Sequence, residues 1–313
     1  MFHQITTSLP NQTTSLFTRH EPSNISPILL SPHSRLRIRK LLSGSPRNRS
    51  SIAGKISPAV VMAEAVVVFD FDRTIIDGDS DRWVVTQMGL TQLFEELRPT
   101  LSWNSLMDRM MLELHSQGKT PSDIAECLHK APIHPRIVAA IKSAHTLGCD
   151  LRIISDANQF FIEKILEHHD LLGCFSQIDT NRTVIDEEKR LRIFPYHDLS
   201  SPHDCNLCPL NMCKGLVIDQ IRAIAAESGR RRFIYLGDGS GDYCPTLRLS
   251  KGDHVMPRKN YPLSKRICSN QTLIKAEIHE WSNGEELEKI LLHLINTRTT
   301  EEITIDNGNH LGR

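Results

Sequence analysis

The sequence predicts a layered α/β fold with a mostly parallel sheet and a helical cap inserted behind its first strand. Three observations predict it: short apolar runs of strand length, helical spacing of apolar residues between them, and one long helical stretch that no strand interrupts. The first run, 65–71 (AVVVFDF), is nearly unbroken, as a strand buried on both faces should be. Residues 151–155 (LRIIS), introduced by Gly148, and 233–236 (FIYL), closed by Gly237, have the same character. A weaker run at 253–256 ends at Pro257. Between the runs, Leu106, Met110, Met111 and Leu114 share a helical face, as do Ile137, Ile141 and Ala144, and then Phe161, Ile165 and Leu166. The stretch from about 81 to 145 is too long for one crossover and reads as the cap. Its methionine-rich face is read as core rather than as a ligand set.

Length and charge narrow the function classes. The chain has 313 residues, enough to bury a sizeable core, and 24% charged residues, within the globular range. No stretch approaches the ~18 apolar residues that a membrane span needs, so none is expected. The formal net charge of +0 hides a split. Residues 1–61 hold eight basic residues and a single acid, Glu21, so the remainder is acidic. An acidic body is not built to track a nucleic-acid backbone. The first 61 residues are also rich in serine and threonine and lack apolar periodicity. They are expected to be a disordered leader of transit-peptide composition, which points to a chloroplast or mitochondrion. The alternative is a cytoplasmic protein starting at Met62. A domain is expected over 62–294, with its core in 62–80 and 146–294, followed by a polar tail at 295–313.

The ends of the apolar runs carry the chemistry. In an open α/β sheet, ligands bind outside the carboxyl ends of the strands. Asp70 and Asp72 follow the first run, Ser155 and Asp156 the second, and Asp238 and Asp242 the third. A single Asp after a strand is ordinarily a turn or helix-cap residue. At three strand ends together, the carboxylates would repel one another unless a cation neutralised them. Oxygen-only ligands favour a hard ion such as Mg²⁺. Residues two apart on a strand point the same way, so one of Asp70 and Asp72 could attack while the other moves a proton. A carboxylate nucleophile suits phosphoryl transfer, because it forms an acyl phosphate that water then hydrolyses. Lys214, before an apparent helix, is either a charge for the transferring group or a surface lysine.

The segments DFDRT, SDAN, NMCKG and GDGSGDYCP, in that order, resemble the four motifs of haloacid-dehalogenase-type phosphatases. More narrowly, DFDRTIIDGDSDRWVV, LSWNSLMDRMM, SDANQFFIEKILEHH, CNLCPLNMCKGL and YLGDGSGDYCP resemble the phosphoethanolamine/phosphocholine phosphatase family. The resemblance implies a doubly wound core centred on five strands, with the helical cap after the first. It implies that Asp70 is the nucleophile and Asp72 the general acid/base, and that Ser155 and Lys214 hold the phosphate. It further implies Mg²⁺ on the Asp70 carboxylate, the Asp72 carbonyl and Asp238, with Asp242 supporting. Asp81 and Asp156 match the residues that hold an ammonium group in the family. A substrate with a phosphate and a cationic nitrogen is therefore expected, thiamine monophosphate first, with phosphoethanolamine or phosphocholine as the alternative. An inorganic pyrophosphatase and a catalytically silent binding protein on the same fold are the alternatives. The oligomeric state is not legible.

Cys205, Cys208 and Cys213 lie within nine residues, with His197 and His203 upstream. Three such cysteines suggest a structural zinc site, but no second CxxC completes it. Reduced thiols in a loop are the favoured reading, with Cys127, Cys149, Cys174, Cys244 and Cys268 taken as ordinary.

Overall fold

The computed structural model describes residues 65–198, 200, 203–227, 230 and 232–297. The leader and Met62 lie outside the described residues, as does the tail beyond Thr297.

The elements follow one another as β1 (Ala65–Phe69), α1 (Ser80–Gln87), α2 (Thr91–Leu97), α3 (Trp103–Ser116), α4 (Pro121–Leu128) and α5 (Pro135–Thr146). The second strand, β2 (Asp150–Asn158), leads to α6 (Gln159–His168), β3 (Phe175–Asn181), β4 (Thr183–Ile185) and β5 (Leu191–Ile193). The remainder is α7 (Lys214–Glu227), β6 (Arg232–Gly237), α8 (Tyr243–Leu247), β7 (His254–Pro257), α9 (Pro262–Ser269), β8 (Glu277–Ile278) and α10 (Gly284–Asn296). Six strands form a parallel sheet in the order β3-β2-β1-β6-β7-β8. The four apolar runs are its four central strands. The edge strands β3 and β8 were not expected: β3 (FSQIDTN) carries no apolar run, and β8 is two residues long.

Strand alternation divides the core. Val67 and Phe69 face one layer with α5, α6 and α10, whereas Val66 and Val68 face the other with α7 and α9. Every residue of β1 is fully buried, which explains its unbroken apolar run. The chain runs from β1 outward to β2 and β3, then returns to β6 on the other side of β1. That reversal opens a crevice beyond the carboxyl ends of β1 and β6.

The helical stretch between β1 and β2 separates into five helices. The last, α5, packs on α10 and leads into β2, as a sheet-covering helix does. Opposite α3 lies a hairpin of β4 and β5 that sequence patterning did not reveal. Asp108 of α3 clamps it, accepting from Arg190 Nη2 at 2.7 Å, Arg192 Nε at 3.0 Å and the Ile193 amide at 3.0 Å. The start of the expected polar tail is the end of α10, where Ile295 is buried.

Candidate active site

A cavity of about 600 Å³ opens at the crevice. All eight residues singled out from sequence line it: Asp70, Asp72, Asp81, Ser155, Asp156, Lys214, Asp238 and Asp242.

Its floor is built on strand ends. Asp70 follows β1 directly, and its amide continues the ladder by donating to Leu236 O at 2.8 Å. Lys214, the first residue of α7, is buried and donates to Asp70 Oδ1 and Asp242 Oδ1, each at 2.8 Å. Asp242 also accepts from Tyr235 Oη at 2.7 Å and from the amides of Asp238 and Gly239 at 3.1 and 2.8 Å. It thereby fastens the β6 loop to α7. Gly237 is required here, since a Cβ would fall 2.6 Å from the Asp242 carboxyl. Ser155, in the second half of β2, accepts from the Ala157 amide at 3.3 Å.

Asp72 reaches the cavity by a different route from the one expected. The strand ends at Phe69, so alternation along a strand does not align Asp70 with Asp72. Instead the chain turns, with Ile75 N donating to Phe71 O at 2.8 Å, and Arg73 adopts a left-handed φ of 56°. Asp72 Oδ1 then accepts from the Ser80 amide at 2.9 Å.

Charge is crowded in the floor. Burial raises the Asp70 carboxyl well above the usual range; Asp242 and Asp238 reinforce the shift, and Lys214 opposes it. Burial likewise raises Asp72, with Asp79, Asp81 and Asp70 adding to it. Asp238 is pushed up to about 6 by burial and by Asp242. Burial works against the charge on Lys214, but Asp242 and Asp70 outweigh it, so its pKa rises. Asp70, Asp238 and Asp242 present oxygens within 4.8 Å of one another, a fit for a hard divalent cation. The Asp72 carboxylate is not part of that group.

The opposite wall is made by helices. Asp79 caps α1, accepting from the Arg82 amide at 3.0 Å, and also pairs with Arg73 at 2.9 Å. Asp81 therefore has no capping duty. It is buried and accepts from Trp103 Nε1 at 2.6 Å and Asn158 Nδ2 at 3.3 Å. Burial and Asp79 raise it to about 7, and those two hydrogen bonds limit the rise. Asp156 is raised by burial but feels Lys214, and its Oδ2 lies against Gly241. Of the two carboxylates, Asp81 is the one remote from the lysine. Sequence reasoning missed Asp79, Trp103 and Asn158. The segment LSWNSLM held the signal for Trp103, which with Ser102 and Asn104 lines this wall.

The cysteines also differ from expectation. Cys244, read as ordinary, joins Cys205, Cys208 and Cys213, with all four sulfurs within 4.8 Å of one another.

Comparison with known proteins agrees with this geometry. A family model described as Putative Phosphatase matches residues 65–295. A thiamine phosphate phosphatase-like protein of Arabidopsis thaliana is 63% identical over 243 residues, covering 77% of this chain and 99% of that one. An inorganic pyrophosphatase 2 of the same plant is 53% identical, covering 79% of this chain and 89% of that one. Among solved structures, a HAD family hydrolase of Salmonella enterica serovar Typhi shares the fold, with a TM-score of 0.52 at 18% identity, covering 76% of this chain and 72% of that one. With strand-end carboxylates and a buried lysine in one crevice, and a family match over nearly all the described residues, the chain belongs to the Putative Phosphatase family and is a phosphatase with the fold of a HAD family hydrolase.

Proposed function

We propose that the protein is a Mg²⁺-dependent phosphomonoesterase that works through an aspartyl-phosphate on Asp70, with thiamine monophosphate as substrate. The observation that carries the reading is the pair of ends in one cavity: Asp70 held by Lys214 on the floor, and buried Asp81 on the far wall.

An Asp70 oxygen attacks phosphorus, and the bond from phosphorus to the ester oxygen breaks. Asp72 gives the leaving oxygen its proton, a role favoured by burial and neighbouring carboxylates, which raise its pKa. A water then attacks the acyl phosphate and passes a proton to Asp72. The bond from phosphorus to Asp70 breaks, which restores the carboxylate and frees inorganic phosphate. Lys214 and Ser155 hold the phosphoryl oxygens, and Lys214 fixes the orientation of Asp70. Asp70, Asp238 and the Asp72 carbonyl would hold Mg²⁺, with Asp242 anchoring the lysine beside them. The ion would neutralise the crowded carboxylates and draw charge from the phosphoryl group.

Asp81 supports a cationic leaving group, because with Asp79 paired to Arg73 it is the carboxylate of this wall without a basic partner, and a carboxylate attracts a positive nitrogen by about 4 kcal/mol at ~4 Å before desolvation. The 63% identical relative named for thiamine phosphate supports a thiazolium over a small ammonium. The 53% identical pyrophosphatase favours a second reading, in which the far wall contributes nothing to affinity. A panel of thiamine monophosphate, phosphoethanolamine, phosphocholine, pyrophosphate and p-nitrophenyl phosphate, assayed with Mg²⁺ and with EDTA, separates these. The expected result is the highest kcat/KM for thiamine monophosphate and no turnover in EDTA. Preference for pyrophosphate would replace the substrate assignment, and EDTA-resistant turnover would remove the metal.

A further inference from the structure

We propose that Cys205, Cys208, Cys213 and Cys244 bind one Zn²⁺ as a tetrahedral thiolate site, stapling the loop before Lys214 to the segment after Asp242. The proposal does not depend on which phosphate ester is the substrate.

The geometry is that of a metal cage rather than of a disulfide. Cys205 Sγ and Cys213 Sγ each lie 3.7 Å from Cys244 Sγ. Zinc–sulfur bonds of ~2.3 Å place tetrahedral sulfurs ~3.8 Å apart. A disulfide would need ~2.05 Å. The fourth sulfur, from Cys208, falls within the same 4.8 Å cluster. The spacing Cys205-x₂-Cys208 is the usual half-site, and Cys244 supplies from another element what a second CxxC would have supplied.

The surroundings are prepared for the cage. Gly215 stands where a Cβ would meet Cys244 Sγ at 2.5 Å, so α7 approaches α8 closely only because that side chain is absent. Cys213 directly precedes the 14-residue helix α7, whose N-terminus favours a thiolate. Lys214 presents no conflict, since its ammonium is directed to Asp70 and Asp242. Four thiolates with one divalent ion carry net negative charge, so the Arg248 guanidinium beside Cys244 is a favourable neighbour.

The loop has a need for such a bond. Residues 203–213 form no helix or strand, and Leu207 and Leu210 are 47% and 58% exposed, so apolar burial does not fix its centre. Yet Pro209, Leu210 and Asn211, which lie between two of the cysteines, line the catalytic cavity. On binding, the thiols would release their protons to solvent, and the loop would be held at three points against Cys244 of α8.

The test uses untagged full-length protein purified without chelator. Elemental analysis should find about one zinc per chain. Removing the metal and titrating with Co²⁺ alone should give the intense thiolate-to-cobalt charge-transfer band and the d–d bands of a tetrahedral site. Cys208→Ser and Cys244→Ser should each lose most of the zinc, whereas Cys268→Ser, exposed and outside the cluster, should keep it. If the serine variants do not fold, the cobalt spectrum of the unaltered chain still decides. Wild-type protein with less than about a tenth of an equivalent of zinc and no charge-transfer band would overturn the proposal. So would disulfides among these cysteines in the intact mass, or full zinc retention in Cys244→Ser.

Discussion

The floor and the far wall of the cavity are built by different means. The floor hangs on three adjacent, largely buried central strands of the sheet, and its central carboxylate, Asp242, accepts four hydrogen bonds. The wall is assembled from α1, α3 and the end of β2 by two hydrogen bonds to one carboxylate, Asp81. The floor is rigid because the sheet leaves it no alternative, and it suits a group common to every substrate. The wall can change with few compensations, so under the proposed function it is the place where one phosphate ester would be told from another.

The largest effect should come from the floor. Asp70→Asn should lower kcat by more than about 10³-fold for every ester, because the attacking oxyanion is gone. Its melting temperature should stay close to that of the wild type. Substantial turnover by this variant would show that the floor does not supply the nucleophile. Asp242→Ala should destabilise the chain by roughly 3–5 kcal/mol in urea unfolding, since it leaves Lys214 and Tyr235 buried with lost partners. A loss under about 1 kcal/mol would place the rigidity of the floor elsewhere.

On the wall, effects should depend on the substrate. Asp81→Asn should raise KM for thiamine monophosphate more than about tenfold, and hardly alter p-nitrophenyl phosphate turnover. Equal losses on both esters would erase the distinction between floor and wall. The ionised carboxylate is the form that attracts the cation, and its pKa lies at about 7. KM for the cationic ester should therefore fall as pH rises through about 7, and the asparagine variant should lose that dependence. Stability runs the other way. Asp81 binds its proton more tightly folded than unfolded, so its contribution is complete below the ordinary carboxylate range and is lost as pH rises through about 7. Urea midpoints of wild type and Asp81→Asn across that window check the sign.

The smallest effect should come from the support of the wall. Asp108→Ala removes the clamp on the β4–β5 hairpin, and these side chains are partly exposed. It should cost about 1 kcal/mol and raise KM more than it lowers kcat. A kcat effect as large as the KM effect would mean that the hairpin also supports the floor.

The same contrast decides what could be read from the chain alone. The apolar runs ending in Asp70, Ser155 and Asp238 announced the floor, because burial on both faces and a polar strand end leave local marks. Lys214 was ambiguous until the motif order gave it a role, since its partners Asp70 and Asp242 are distant in sequence. Asp72 was placed in the site for the wrong local reason: a turn, not strand alternation, brings it in. The contacts of the wall left no local mark beyond the segment LSWNSLM, because Trp103 and Asn158 stand 22 and 77 residues from the carboxylate they hold. Cys244 was missed in the same way, being a single cysteine in a different element from the other three. Strands β3 and β8 escaped because edge strands need no apolar run.

The Asp108 clamp has a mechanical consequence. Helix α3 enters the wall from the connection between β1 and β2, and the hairpin enters from the connection between β3 and α7. Locked together by Arg190 and Arg192, they form an arch with a foot in each connection. An arch does not swing like a door. To draw the two connections apart, both feet must give at once or the keystone must break, and that keystone is a carboxylate outside the residues that line the cavity.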